Sequence, residues 1–163
     1  NIAAALGDAV PALDTAEVRA QASAYADELL AADADIAAEV AAIPEDQRVL
    51  VTNHEVLSYF ADRYGFEVVG TVVPGATTLA EPSSQELSDL ADTIREYDVP
   101  AIFADAASPT DLADALAGEE DLDVEVVALY SESLGEPGTG ADTYLGMVTT
   151  NAAAITGALT GGS

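Results

Sequence analysis

The chain has 163 residues, half of them hydrophobic, and carries 30 carboxylates against four basic residues, for a formal net charge of −26. This length and apolar content suit one folded domain and exceed what disordered chains contain. The four basic residues are all arginines, so no basic patch can neutralise nucleic-acid phosphates, which excludes nucleic acid as a partner and disfavours an anionic membrane surface. An acidic excess is typical of a solvated, salt-adapted surface.

The chain contains no cysteine. Disulfides, thiolate metal ligands and cysteine nucleophiles are therefore excluded, and any ligand or catalytic group must supply oxygen or imidazole. The first six residues, NIAAAL, contain neither an initiator methionine nor a basic segment. We expect that any secretion signal lies outside this chain. No apolar stretch approaches the ~18 residues that a membrane-spanning helix needs.

Residues 14–43 predict one long helix, because apolar residues recur there with a period near 3.6. Asp14 and Glu17 match a capping arrangement at its start, and Pro44 ends it. Such a helix is roughly 40 Å long, which is more than one sheet face of a domain this size requires. The pattern favours a strut between this domain and another part of a protein.

After Pro44 the pattern changes to alternating short strands and helices. The predicted strands are residues 49–52, 66–72, 101–104 and 124–129. The predicted helices cover residues 55–64, a segment after Pro82, a segment that opens at residues 108–111, and residues 143–159, which include Asn151. Connections of this length exclude hairpins and predict an α/β, doubly wound fold, a mainly parallel four-stranded sheet with helices on both faces.

Local signals mark several helix ends. Ser83 and Glu86 have the spacing of a capping box, and Gly65 matches a C-terminal stop. Ser108 and Pro109 match a cap followed by proline at the first helical position.

Three chemically competent side chains follow predicted strands. His54, the only histidine, comes after the first strand, Asp105 after the third and Glu132 after the fourth. Ligands of open parallel sheets bind beyond the carboxyl ends of the strands, so these residues should gather at one edge. Imidazole with carboxylate and no thiol suits Zn²⁺ or Mn²⁺. The alternative is a capping histidine and a solvated glutamate, and two ligands are fewer than a tight zinc site uses.

Enzymatic interpretations have less support. Serines occur near His54 in the predicted fold, at Ser58, Ser131 and Ser133, but no Gly-x-Ser-x-Gly elbow is present. No glycine-rich phosphate loop follows a strand. A phospho-acceptor receiver domain would need a lysine, and the chain has none. We expect that the protein is not an enzyme.

Five ordered blocks resemble a known family. They are VLVTNHEVLSYFADRYG at 49–65, EPS at 81–83, AIFAD at 101–105, LYSESLG at 129–135 and ADTYLGMVTTN at 141–151. Together these blocks resemble the zinc- and manganese-binding solute-binding proteins of ABC importers. That resemblance implies two α/β lobes joined by a long helix, with the metal held between the lobes by two side chains from each.

The resemblance implies that residues 1–13 are an N-terminal remnant, 14–44 the linker helix and 45–163 the C-terminal lobe. His54 matches the third metal ligand, and Glu132 stands where relatives usually have aspartate. Asp105, where relatives have glutamate, would hold the ligand histidine by its second nitrogen.

For function, the resemblance implies an extracytoplasmic protein, periplasmic or a surface lipoprotein, that delivers Zn²⁺ or Mn²⁺ to an ABC permease. Histidine as a ligand favours zinc. With two ligands only, this chain alone should bind metal weakly, and its linker helix could pair two copies into a homodimer. The alternatives are a cell-surface adhesion or scaffold protein on the same fold, and a metal buffer without a transporter.

Overall fold

The computed structural model describes residues 2–73, 83–107, 109–118 and 122–161. The expectations that concern Pro82 and Ser108 lie outside the described residues. The chain divides into two compact units, residues 1–36 and 37–163, and the division falls within its longest helix. In the described ranges, no helix combines the length and the apolar character needed to cross a membrane.

The first unit is helical. It contains α1 (Ile2–Ala9), a short 3₁₀ turn and most of α2 (Ala16–Val40). Thr15 caps α2, because its Oγ1 accepts a hydrogen bond of 3.2 Å from the backbone N–H of Val18. The cap predicted at Asp14 is therefore wrong by one residue, since the Asp14 carboxylate instead pairs with Arg19.

The long helix ends earlier than predicted. Beyond Val40 the backbone bonds shorten to a three-residue spacing, from Ala42 to Glu39 and from Ile43 to Val40. This tighter turn ends the regular helix three residues before the predicted end at residue 43. Val40 and Ile43 are nevertheless fully buried, so the apolar period continues through the turn.

The second unit contains a four-stranded sheet in which every strand is parallel to its neighbours, in the order β2-β1-β3-β4. The strands are β1 (Val49–Thr52), β2 (Glu67–Thr71), β3 (Ala101–Asp105) and β4 (Glu125–Leu129). The helices of this unit are α3 (Ser58–Tyr64), α4 (Ser84–Tyr97), α5 (Asp111–Ala117) and α6 (Tyr144–Leu159). The predicted α/β fold with a parallel sheet is confirmed.

Helices cover both faces of the sheet. On one face, Val51 of β1 and Ile102 of β3 pack in a core with α4 and α5 residues such as Ile94 and Leu116. The fully buried Leu50 of β1 lies on the other face. There α3 packs against β2, and α6 packs against β3 and β4. Burial of each such aliphatic side chain contributes roughly 1.5 to 3 kcal/mol. The two central strands are therefore apolar on both sides, as a doubly covered parallel sheet requires.

Two predicted helix starts are wrong. Helix α3 begins at Ser58 rather than at residue 55. Its N-cap is Leu57, which has non-helical dihedral angles of φ −101° and ψ 9°. Helix α5 begins at Asp111 and has Thr110 at its N-cap, so Pro109 lies before the helix instead of at its first position. Neither of these two N-cap side chains makes a capping hydrogen bond.

Other predicted ends are confirmed. The capping box of α4 forms, with Ser83 Oγ accepting from the Glu86 N–H and the Glu86 carboxylate accepting from the Ser83 N–H at 2.7 Å. Gly65 ends α3 in the left-handed conformation at φ 75°, which a residue without a Cβ adopts at little cost.

Candidate metal centre

His54 lies directly beyond the carboxyl end of β1, in the middle of the sheet. The backbone of the preceding residue, Asn53, is bonded on both sides, donating to the Phe103 carbonyl at 2.8 Å and accepting from the Val73 N–H at 2.9 Å. These bonds continue the sheet for one residue and leave His54 as the first residue of the following turn. The chain therefore places the imidazole at a fixed point on the sheet edge.

The topology opens this edge. From β1 the chain passes through α3 to β2, and from β3 it passes through α5 to β4, so the two connections lead toward opposite edges of the sheet. Such a reversal between neighbouring strands leaves a crevice, which is the usual ligand position in open α/β sheets.

Glu132, from the loop after β4, contacts His54. The imidazole Nε2 and the carboxylate Oε1 are 3.2 Å apart, with the histidine side chain 8% exposed and the glutamate side chain 54% exposed. An ionised carboxylate only accepts hydrogen bonds, so a hydrogen bond from His54 to an ionised Glu132 requires the tautomer with the proton on Nε2. The two side chains predicted as ligands thus meet, one anchored in the protein and one reaching in from solvent.

Asp105, at the end of β3, binds the loop that carries Glu132. Its Oδ2 accepts from the N–H and hydroxyl of Ser131 at 2.9 and 2.6 Å and from the Glu132 N–H at 3.0 Å. Its Oδ1 accepts from the Ala107 N–H at 2.8 Å. Ser131, considered above as a nucleophile, therefore directs its hydroxyl to Asp105.

The partner expected for Asp105 was the second nitrogen of His54, and this differs from the structure. Among the described residues, the hydrogen bonds of Asp105 go to Ala107, Ser131 and Glu132, and none goes to His54. Burial favours the protonated carboxyl and so raises its pKa, but the bonds from Ser131, Ala107 and Glu132 outweigh burial and hold the pKa of Asp105 below its ordinary value. Asp105 is therefore a buried anion that fixes a loop.

The sequence interpretation assigned no site role to Asn151. From α6, its side chain accepts from the Tyr130 N–H at 2.9 Å and donates to the Tyr130 carbonyl at 2.8 Å. The signal available in the sequence was a single amide in the otherwise apolar stripe of this helix.

The donor pair fits a divalent cation. Zinc bonds of about 2.0 to 2.2 Å at tetrahedral angles place neighbouring ligand atoms about 3.3 to 3.6 Å apart, so the observed 3.2 Å pair would need to separate by only a few tenths of an ångström to hold the ion. Within the described ranges, no group of three or more histidine, aspartate or glutamate side chains is arranged to hold a metal. Among the described residues, His54 and Glu132 thus offer two candidate donor atoms.

Comparison with known families decides the assignment. Residues 1–158 match the family described as ZnuA, zinc-uptake complex component A, periplasmic. The chain belongs to the ZnuA family.

Individual relatives of this ZnuA-family chain are named for metal binding. It is 36% identical over 149 residues to the zinc-binding protein TroA of Treponema pallidum, covering 89% of this chain and 48% of TroA. It is 34% identical over 145 residues to the manganese-binding lipoprotein MntA of Bacillus subtilis, covering 86% of this chain and 47% of MntA. Periplasmic and lipoprotein forms both occur among these names.

The fold agrees with that of a solved relative. The structure of periplasmic zinc-binding TroA from Treponema pallidum superimposes with a TM-score of 0.84 at 33% identity, over 97% of this chain and 57% of that one. The ZnuA-family chain therefore spans about half the length of the curated relatives it matches.

Proposed function

We propose that this chain is part of an extracytoplasmic solute-binding protein that captures Zn²⁺ or Mn²⁺ for an ABC importer. The observation that carries the proposal is the 3.2 Å approach of His54 Nε2 and Glu132 Oε1 at the carboxyl edge of the sheet. Membership of the ZnuA family supports a metal ion as the ligand of this donor pair. The other ligands come from a part of the protein that this chain does not include.

In this proposal residues 1–13 are the end of a first lobe, residues 14–44 contain α2 as the linker helix and residues 45–163 form the second lobe. His54 and Glu132 supply half the metal sphere, and Asp105 supports Glu132 from behind. The lobe would deliver its metal to a permease, outside the cytoplasmic membrane as in the periplasmic and lipoprotein relatives.

A metal ligand must present an unprotonated nitrogen. Capture through Nε2 would therefore need the proton of a neutral imidazole on Nδ1, with the ion between His54 Nε2 and Glu132 Oε1 in place of their direct contact. The carboxylate is already half exposed to solvent, so it can meet a hydrated ion first and draw it to the buried imidazole. An imidazole ligand favours zinc over the harder manganese ion. If aspartate is usual at this position, as the sequence resemblance implies, glutamate at 132 adds one methylene of reach.

No contact of the described residues favours the adhesion alternative. The relatives reported above are named for the metal they bind, which supports capture of a cation. We therefore retain metal binding as the function to test.

The test is a zinc titration of this chain by calorimetry at neutral pH, with His54→Ala and Glu132→Gln. We expect weak binding with one dominant site, and at least a tenfold lower affinity in each variant because one of two ligands is removed. Glu136→Gln is the matched control, since it neutralises another exposed acid of the same loop. Wild-type affinity in both ligand variants would contradict the assigned site.

We also propose that two copies of this chain pair through the first unit. A groove of about 840 Å³ lies between α1 and α2 and is lined mainly by apolar side chains, including Ile2, Leu6, Val18, Tyr25 and Leu29. Val18, Tyr25 and Leu6 are each about 40 to 50% exposed, and exposed apolar patches of this kind usually mark an interaction surface.

A further inference from the structure

We propose that Asn151 is a positioning residue of the metal site, acting on Glu132 through the backbone of Tyr130. The inference rests on the proposed function for the identity of the ligand, but its structural part can be tested without metal. Asn151 lies on α6, and it touches neither His54 nor Glu132 among the hydrogen bonds of the described residues.

The contact imitates a neighbouring strand. In the sheet order β2-β1-β3-β4, β4 is an edge strand. Its last residue, Leu129, directs its carbonyl toward β3, where it accepts from the Ala106 N–H at 2.8 Å. Successive residues of a strand direct their backbone groups to opposite sides, so Tyr130 presents its N–H and carbonyl to the open edge. The Asn151 amide satisfies both, as a strand backbone would.

Asp105 holds the same loop from the opposite side. It accepts from the N–H and hydroxyl of Ser131 and from the N–H of Glu132, while Asn151 takes the N–H and carbonyl of Tyr130. Three consecutive residues are thus fixed between β3 and α6. This two-sided clamp leaves the side chain of Glu132 as the part that adjusts when it meets a cation.

The clamp has a consequence for affinity. A ligand held in place before binding pays less conformational entropy when the metal arrives. Residues that orient metal ligands typically change affinity by about 10- to 100-fold when they are removed. We expect loss of Asn151 to lower Zn²⁺ affinity by about tenfold while His54 keeps its position.

The experiment compares Asn151→Asp and Asn151→Ala with the wild-type chain by Zn²⁺ titration and by hydrogen exchange of assigned backbone amides. Asn151→Asp keeps an acceptor for the Tyr130 N–H but places a second oxygen against the Tyr130 carbonyl. Thr156→Val is the matched control, because this half-buried residue lies on the same helix and its buried hydroxyl has no hydrogen-bond partner among the described residues. Circular dichroism checks that each variant is folded.

The expected result is slow exchange of the Tyr130 and Glu132 amides in the wild type, faster exchange in both Asn151 variants with the β3 amides unchanged, and about tenfold weaker Zn²⁺ binding. Thr156→Val should match the wild type in both measurements. Fast exchange at Tyr130 in the wild type, or folded Asn151 variants with wild-type exchange and affinity, would overturn the inference.

Failure of the proposed function would look different. Zinc binding that is insensitive to His54→Ala and Glu132→Gln removes the metal site but leaves the amide exchange of Tyr130 and Glu132 as an independent measure of the clamp. Conversely, loss of zinc binding in those two variants together with no effect at Asn151 rejects the clamp alone.

Discussion

Asp105 is 2% exposed, yet its carboxylate is ionised and accepts four hydrogen bonds from the described residues Ala107, Ser131 and Glu132. A buried charge is tolerated when its lone pairs are satisfied in this way. The hydrogen bonds therefore fix the sequence of β3 at this position more strictly than packing alone would.

We predict that Asp105→Asn lowers the free energy of unfolding by about 2 to 3 kcal/mol at neutral pH, because hydrogen bonds to a charged acceptor are lost and an amide N–H₂ group now faces other donors. Urea unfolding followed by circular dichroism measures the change. Asp62→Asn, which removes an exposed carboxylate and the same charge, is the matched control and should lie within about 0.5 kcal/mol of wild type.

Comparing the wild type with Asp105→Asn at different pH values gives a second test. Because the pKa of Asp105 is lower in the folded chain than the ordinary value, the unfolded chain binds the proton more tightly. The stability contributed by Asp105 is thus fully present above its ordinary pKa of about 4 and is lost as the pH falls through the lowered folded-state pKa. We expect the stability gap between wild type and Asp105→Asn to narrow in that acidic window. A constant gap would contradict the assignment.

At the scale of elements, α6 carries both the clamp residue Asn151 and a side-chain cap. Its N-cap Thr143 accepts through Oγ1 from the Gly146 N–H at 3.1 Å. The cap fixes where α6 starts, and the clamp fixes how it meets the loop after β4. Both belong to one short segment of the chain.

We predict that Thr143→Ala lowers the free energy of unfolding by about 1 kcal/mol, the usual cost of losing a side-chain N-cap. Thr149→Ala is the control on the same helix, because the Thr149 hydroxyl only bonds back to the Leu145 and Gly146 carbonyls. Thermal and urea unfolding should show the loss for Thr143→Ala and a change near zero for Thr149→Ala. Equal losses in both variants would argue against the cap.

Much of the fold follows from patterns that act over a few residues. The strand at Val49–Thr52 has the predicted bounds. A continuous apolar run between polar turns is typical of a parallel strand that is buried on both faces. The capping box at Ser83 could also be predicted from the sequence. The starts of α3 and α5 could not be predicted, because neither N-cap residue, Leu57 or Thr110, makes a side-chain capping hydrogen bond.

The candidate site divides in the same way. The meeting of His54 and Glu132 follows from a rule of topology, that loops after parallel strands share one edge. The bonds of Asp105 and Asn151 could not be predicted, because they depend on the conformation of residues 130–132 and on which side of an edge strand each backbone group faces. Nothing in the local sequence specifies that.

For the molecule as a whole, charge and apolar surface act against each other. A net charge of −26 on each copy opposes the close approach of two copies. Burial of the apolar groove between α1 and α2 in a dimer would instead favour their association. Salt weakens only the first effect, since the screening length falls from about 10 Å at 0.1 M to about 3 Å at 1 M.

We therefore predict that the fraction of dimer rises between about 0.1 M and 1 M NaCl, measured by light scattering after size exclusion. Leu6→Gln, which places an amide in the groove, should reduce dimer formation at high salt. Leu30→Gln is the control, because Leu30 is 66% exposed and does not line the groove. A monomer at every salt and protein concentration would refute the proposed pairing.

The single histidine gives this protein a built-in probe. The chain contains one imidazole and no tryptophan or cysteine, and that imidazole lies almost fully buried against Glu132. A proton spectrum in deuterated water would therefore show a single pair of histidine ring signals, which no other imidazole overlaps and which the His54→Ala variant would identify. Those two signals would report both the binding of a cation at His54 and motion of the loop after β4 in the same sample.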